Sequence, residues 1–460
     1  MMREFKFIEN VRPYANPIRE TVIETGRVRG VPGGNTICTV FKGIPYAKAP
    51  VGELRWKAPQ PAEPWEGTRA CVEFGPAGIQ GDRSIQPYWG YNMYLTPYEV
   101  SEDCLYINVW TPAESTEDKL PVLFWTHGGA NEGGFGHEEE NDGEAFARRG
   151  CILVTYNYRM SAFGFLAHPE LSKEDPHGIS GNYGFLDAVA ALKWTRRNIA
   201  AFGGDPDNIT IGGQSAGCMM TMCLTVSPLT KGDYAKIVYH SGVSTTSGFF
   251  GKKNMKEAEL DGITWMKAKG CRSLEEMRAL PVEQVLEKID ERQHFMEVED
   301  GYCLTGNYAE LIGEGDFPDV PVICSVTADE GQRAPGTRQI IGEGTRSFCE
   351  MQNRLGRKPA YAFRFSRYLP GDDEGAWHTS ELFYLFGTID RTWRPMTGYD
   401  YDLSRIMTDY WTNFMKTGDP NGSGLPLWTP YTQDSKKAFD LGTTNDMIDA
   451  SKEPEPKQFF

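Results

Sequence analysis

The run Ile209-Thr210-Ile211-Gly212-Gly213-Gln214-Ser215-Ala216-Gly217-Cys218 constrains the fold more than any other part of the chain. Ile209 and Ile211 alternate with smaller residues as a short buried strand does, and glycines at 213 and 217 flank Ser215 at the spacing G-x-S-x-G. This reads as strand, sharp turn, then helix. Such a turn forces its apex residue into a strained backbone conformation, so the flanking positions must carry almost no side chain. The serine hydroxyl is then pushed out at the start of a helix. With 50 glycines in 460 residues this spacing also arises by chance, so the motif draws its weight from the strand before it and from the rest of the chain.

The remaining pattern asks for a mostly parallel sheet wrapped by helices. Leu105–Trp110, Pro121–Thr126 and Cys151–Tyr156 are short, nearly continuous apolar runs, as in strands buried on both faces. Gly184–Ala201 carries Phe185, Ala188, Val189, Leu192 and Ile199 at helical spacing and ends in Gly-Gly-Asp-Pro. Strands at 236–239 and 320–324 continue the alternation, and 20–45 reads as a hairpin about Gly33-Gly34. No linker or repeat divides the chain, so residues 1–460 read as one α/β domain. The charged helical stretch 252–298 is expected to pack as a cap, with cap elements reaching to about 312.

Composition narrows the function. Lys plus Arg total 47 against 63 Asp plus Glu, a net charge of −16, and no basic run stands out, which argues against nucleic acid or an anionic membrane surface as partner. No apolar run approaches the roughly 20 residues that span a bilayer, and the first residues lack a signal-peptide core, so a cytoplasmic location is expected. The ten cysteines are scattered, mostly within apolar segments, without a C-x-x-C pair, and read as buried thiols, not a zinc site. No metal or cofactor is expected.

A serine hydroxyl is a poor nucleophile, so the chemistry requires a base and a carboxylate that orients the base. Among seven histidines, His127 makes better sense holding the turn before Gly128-Gly129-Ala130, and His137, His168, His177, His240 and His294 have no comparable context. His378 stands late in the chain, where the order Ser, acid, His would put the base. The segment Val320–Val326, then Thr327-Ala328-Asp329-Glu330-Gly331, supplies a strand followed by two adjacent carboxylates, and spacing does not choose between Asp329 and Glu330. His127-Gly128-Gly129-Ala130 is a glycine-rich corner suited to an oxyanion hole; a phosphate cradle would need G-x-x-x-x-G-K-[ST] or G-x-G-x-x-G, and neither is present there.

Together these segments resemble the type B carboxylesterases, the α/β-hydrolase family that includes the cholinesterases and bacterial para-nitrobenzyl-esterase-like enzymes. Phe41–Ala47, Gly52–Trp56, Glu102–Val109, Asn157-Tyr158-Arg159, Gly181–Gly184, Asn198–Gly217 and Asp419-Pro420-Asn421 all look like family landmarks. The resemblance implies the α/β-hydrolase fold, Ser215 as nucleophile, His378 as general base and acid, and Glu330 as the orienting carboxylate. It further implies oxyanion donors at Gly129, Ala130 and Ala216, and buried supporting roles for Ser241 and Glu381.

The chain also departs from the family. A first disulfide would pair Cys104 with a cysteine near position 78, where Gly78 stands, so that bridge is expected to be absent. Gln214 replaces the glutamate that many members carry before the nucleophile, which removes a negative charge and argues against choline-like cations. The 48 residues from Glu330 to His378 are fewer than in typical members, which implies a reduced cap and a more open pocket. The expected substrate is a small carboxylic ester, aryl or short-to-medium acyl, with plant-derived aromatic acyl esters among the candidates, and Pro87–Tyr94 is either a lining for such groups or a packed loop. The rival readings are an amidase or carbamate hydrolase on the same residues and a noncatalytic cholinesterase-like binding protein. Oligomeric state is not written in the sequence.

Overall fold

The computed structural model describes residues 16–34, 36–93, 95, 97–246, 253–290, 293–330 and 342–450. Its strands are β1 Glu20–Ile23, β2 Gly26–Arg29, β3 Val31–Pro32, β4 Thr39–Pro45, β5 Thr68–Ala70, β6 Tyr106–Thr111, β7 Leu120–Thr126, β8 Ile152–Tyr156, β9 Gly204–Gln214, β10 Lys236–His240, β11 Val322–Thr327, β12 Tyr361–Phe365, β13 Lys437–Leu441 and β14 Asp446–Asp449. Eleven of them form one sheet in the order β14-β13-β12-β11-β10-β9-β7-β8-β6-β4-β3, and β1, β2 and β5 form a small separate sheet. The pairs from β8 through β13 are parallel, and the two flanks are antiparallel. This is the mostly parallel sheet that the apolar runs predict.

Every residue of β7, β8, β10 and β11 is buried, because helices cover both faces of the sheet. The helix Tyr183–Asn198 lays Phe185, Ala188, Val189 and Leu192 on one face of it, and the helix Gly398–Thr417 lays Leu403, Met407, Trp411 and Phe414 on the other. Two ion pairs, one buried and one part-buried, fasten family landmarks in place. Arg159 binds both carboxylate oxygens of Asp187, at 2.8 and 2.7 Å, and Arg55 binds Glu102 through two nitrogens. Such planar, bidentate geometry is why arginine, not lysine, suits these positions.

The amino-terminal region contains two hairpins where the sequence pattern showed one. The β3–β4 pair spans the expected Gly33 region, and a further pair, β1–β2, lies before it. Between 252 and 298 the helices Met255–Ala268, Leu274–Arg278 and Val282–Leu286 bury Trp265, Met277 and Val285 against Trp56, Phe163 and Leu171. The ten cysteines are unbridged, and a Cβ built on Gly78 would sit 3.6 Å from Cys104 Sγ, so the place where a partner sulfur would stand is filled by a glycine. Among the described residues, no helix is long and apolar enough to cross a membrane and no cluster of His, Cys, Asp and Glu fits a metal ion.

Candidate active site

The turn after β9 has the strained form that its glycines predict. Ser215 takes φ 56° and ψ −125° at the N-cap of the helix Ala216–Val226, and its N–H donates to the His240 carbonyl at 3.0 Å. A Cβ on Gly217 would run into the carbonyl oxygens of Thr126 and His127, and one on Gly213 into that of Gly217. Both glycines are therefore demanded by close backbone approach, and the strain at Ser215 is held by the strands on either side.

Two loops bring the other predicted residues to this turn. Downstream of β11, His378 Nδ1 donates to Glu330 Oε2 at 2.6 Å. The neighbouring carboxylate has a different partner: Asp329 Oδ2 accepts the Ala376 N–H at 2.8 Å, and the Asp329 N–H donates to the Ala376 carbonyl at 3.0 Å, which anchors the loop that carries His378. Burial disfavours the imidazolium of His378, but the Glu330 hydrogen bond and charge, with the charge of Glu381, outweigh it and leave its pKa above the usual histidine value. With Nδ1 donating, Nε2 is bare, and it accepts the Gln214 amide at 3.2 Å.

After β7, Gly129 and Ala130 take φ 110° and 59°, and the glycine corner approaches Ser215 closely enough that a Cβ on Gly128 would sit 3.2 Å from Ser215 Cβ. His127 holds this corner, as the sequence predicts: its Nδ1 donates to the Gly128 carbonyl at 2.9 Å and its ring stacks on Tyr158. Burial pulls its pKa down to about 3, so the ring is neutral. Ser215, His378, Gly129 and Ala130 line a cavity of about 210 Å³, and Ala216 follows Ser215 as the first residue of the helix. A larger cavity of about 720 Å³, lined in part by Thr245, Glu310, Arg354 and Tyr431, lies elsewhere and touches none of these residues.

Ser241 and Glu381 lie outside this cavity. Ser241, at φ 49°, follows β10 and donates its N–H to the Ser325 carbonyl at 2.9 Å. Glu381 Oε1 accepts from His240 Nδ1 at 3.2 Å. His240, set aside in the sequence for want of context, is fully buried and accepts the Trp411 indole N–H at 3.1 Å on its other nitrogen. Its role was invisible because Trp411 and Glu381 lie 171 and 141 residues away in the chain.

The cavity wall also contains two acids that the motifs did not single out, Glu138 and Glu140. Burial raises the pKa of both, against the charge of Arg83 at Glu138 and reinforced by Glu138 at Glu140. The charge that Gln214 removes is thus not the only one at this site. Of Pro87–Tyr94, Met93 lines the cavity and accepts the Thr379 hydroxyl at 3.0 Å, whereas Tyr91 packs on Trp393 near the surface. The side chains of Tyr88, Trp89 and Tyr94 lie outside the described residues.

Comparison with known proteins agrees with this geometry. Residues 17–335 and 336–460 match the model of the carboxylesterase family. The fumonisin B1 esterase of Sphingopyxis macrogoltabida is 37% identical over 461 residues, covering 88% of this chain and 83% of that protein. The para-nitrobenzyl esterase of Bacillus subtilis is 31% identical over 461 residues, covering 87% and 90%. Among solved structures, a carboxylesterase of Geobacillus stearothermophilus superposes with a TM-score of 0.79 at 30% identity, over 94% of this chain and 98% of that one. A serine held at the apex of a strand-to-helix turn inside an α/β-hydrolase fold, matched along the chain by esterases, means that this protein belongs to the carboxylesterase family and is a carboxylic-ester hydrolase.

Proposed function

We propose that the enzyme cleaves small carboxylic esters, aryl or short-to-medium acyl, through a Ser215-His378-Glu330 triad and an acyl-enzyme, within a single domain in which 252–312 act as a reduced cap. The observation that carries the reading is the 2.6 Å bond from His378 Nδ1 to Glu330, made beside a serine that lines the same cavity as His378. Glu330 fixes the imidazole tautomer and stabilises the imidazolium. Gln214 moves off Nε2, and that nitrogen takes the Ser215 Oγ proton as Oγ attacks the ester carbonyl. Charge grows on the carbonyl oxygen, where the N–H groups of Gly129, Ala130 and Ala216 receive it, the last reinforced by the helix N-terminus. His378 then protonates the alcohol as the tetrahedral species collapses, and water repeats the cycle to release the acid. Ser241 and Glu381 support this arrangement from behind, Glu381 through His240 and through its charge on His378.

The test is hydrolysis of p-nitrophenyl esters from acetate to octanoate by the wild type and Ser215→Ala. A burst of p-nitrophenol in the wild type and a loss of about 10⁴-fold or more in the variant are expected. A folded variant that retains most of the activity would overturn Ser215 as nucleophile.

A further inference from the structure

The wall of the catalytic cavity opposite in character to its apolar lining is made of hydrogen-bond acceptors. Glu138 and Glu140 both line the cavity, are 7% and 2% exposed, and are held above the usual carboxylate range by burial. Beside them Asn141, 3% exposed, has an Oδ1 with no partner among the described residues. His127 Nε2 is likewise buried and unpartnered, and it is an acceptor because Nδ1 carries the proton that goes to the Gly128 carbonyl. The indole N–H of Trp125 is the one buried donor of this wall left without a partner. Buried acceptors without donors cost free energy unless a ligand supplies the protons.

We propose that Glu138, Glu140, Asn141 and His127 form a subsite for a primary ammonium group carried by the ester substrate. This rests on the esterase reading above and adds a substrate class to it. An ammonium brings three donors and no acceptor, so it matches this wall, whereas a carboxylate would meet acceptors and like charge. On binding, a proton that burial holds on either carboxyl leaves to solvent, and two carboxylates face one cation. Among the described residues, no lysine or arginine lines the cavity. Arg83 acts on Glu138 from behind the glycine corner, against Gly129 and Gly133, and does not line the cavity. Arg391 binds Asp142 and the Glu139 carbonyl. The charges acting on Glu140 are those of Glu138 and Glu139, both acids. A cavity of about 210 Å³ admits an ammonium on a short methylene arm beside the reacting carbonyl.

The test measures kcat/KM by proton release for ω-aminoalkyl acetates of three to six carbons, for the alkyl acetates with methyl in place of ammonium, and for the ω-hydroxyalkyl acetates. Methyl 6-aminohexanoate against methyl heptanoate gives the same contrast on the acyl side. The expected result is a preference of about tenfold or more for ammonium over methyl in at least one matched pair, reduced towards one by Glu140→Gln and by Glu138→Gln. A second readout needs only the wild type: pentylammonium should inhibit p-nitrophenyl acetate hydrolysis competitively and more strongly than 1-pentanol. The subsite is overturned if no ammonium ester outruns its methyl partner, if the hydroxyl series outruns the ammonium series, if folded Glu140→Gln keeps the preference, or if pentylammonium inhibits no better than pentanol. Failure of the esterase reading looks different: the alkyl acetates themselves would then show no turnover that depends on Ser215.

Discussion

His378 and His240 each present Nδ1 to a glutamate, and only His378 has its second nitrogen on a cavity. His378 binds Glu330 at 2.6 Å with its side chain 34% exposed, and its Nε2 faces a cavity. His240 binds Glu381 at 3.2 Å with its side chain fully buried, and its Nε2 is occupied by the indole N–H of Trp411 at 3.1 Å. An indole nitrogen donates and never accepts, so His240 has no nitrogen left to take a proton from a substrate or a serine. The ligand of His378 Nε2 is instead a side-chain amide on the neighbouring turn, Gln214, at 3.2 Å. A histidine–glutamate pair is therefore not by itself a catalytic device; general-base chemistry also needs access to the second nitrogen.

The sharpest way to break this comparison is to remove each ring in turn. His378→Ala is expected to lower kcat by about 10⁵-fold or more on p-nitrophenyl butyrate, because serine and base act as a unit. Next in size is Glu330→Gln, with an expected loss of about 10⁴-fold, since the amide favours the wrong tautomer. The pH profile sharpens the point further. In its proposed role as base His378 acts only when neutral, and its pKa is raised, so the acidic limb of kcat/KM should lie above the ordinary histidine value of 6.5. In Glu330→Gln burial is left with less opposition and the limb should move to lower pH; a limb that stays in place or rises would show that Glu330 does not tune the ring. The same linkage gives the fold a contribution that is full below the unfolded histidine pKa and lost as pH rises through the folded one.

The smallest effect on rate is expected from His240→Ala, a fall of less than about tenfold, with a stability loss of about 3 kcal/mol because Glu381 is left buried without its partner. Thermal unfolding and kcat measured on one preparation separate the two effects. A folded His240→Ala enzyme as inactive as His378→Ala would erase the distinction between the two rings.

Much of the fold was legible where local pattern and burial agree. The runs that became β6, β7, β8, β10 and β11 are mostly apolar because both faces of these strands are covered. The strands beyond β11 were not legible, and β12 and β13 show why. Arg364 stands opposite Asp440 in their register and binds it at 2.6 Å, so a charge sits within each short strand and interrupts the apolar signal, while the pair satisfies itself across 76 residues of sequence. The longer strand β9, Gly204–Gln214, was read only over Ile209–Ile211, because its first half, Gly204 to Asn208, is polar and carries Pro206.

At the site, Ser215 and the glycine corner were readable because strained turns and close backbone approaches admit few residue types, and those residues must be adjacent in the chain. The choice between Asp329 and Glu330 was not readable from spacing, since adjacent residues differ only in where their side chains point. Family resemblance favoured Glu330; in the structure Glu330 reaches His378 while Asp329 holds the backbone of Ala376. Glu138 and Glu140 read as ordinary acids in a run of charge, and nothing local marks them as buried.

The sequence alone thus determined the elements that depend on neighbours in the chain: the sheet's central strands, the strained serine turn and the glycine corner. The tertiary structure alone decided which histidine has its second nitrogen on a cavity, which carboxylate reaches that ring and which acids are carried into the cavity. These last properties depend on burial and on partners more than 100 residues distant in several cases, such as Trp411 and His240, 171 residues apart, and local sequence carries no record of either.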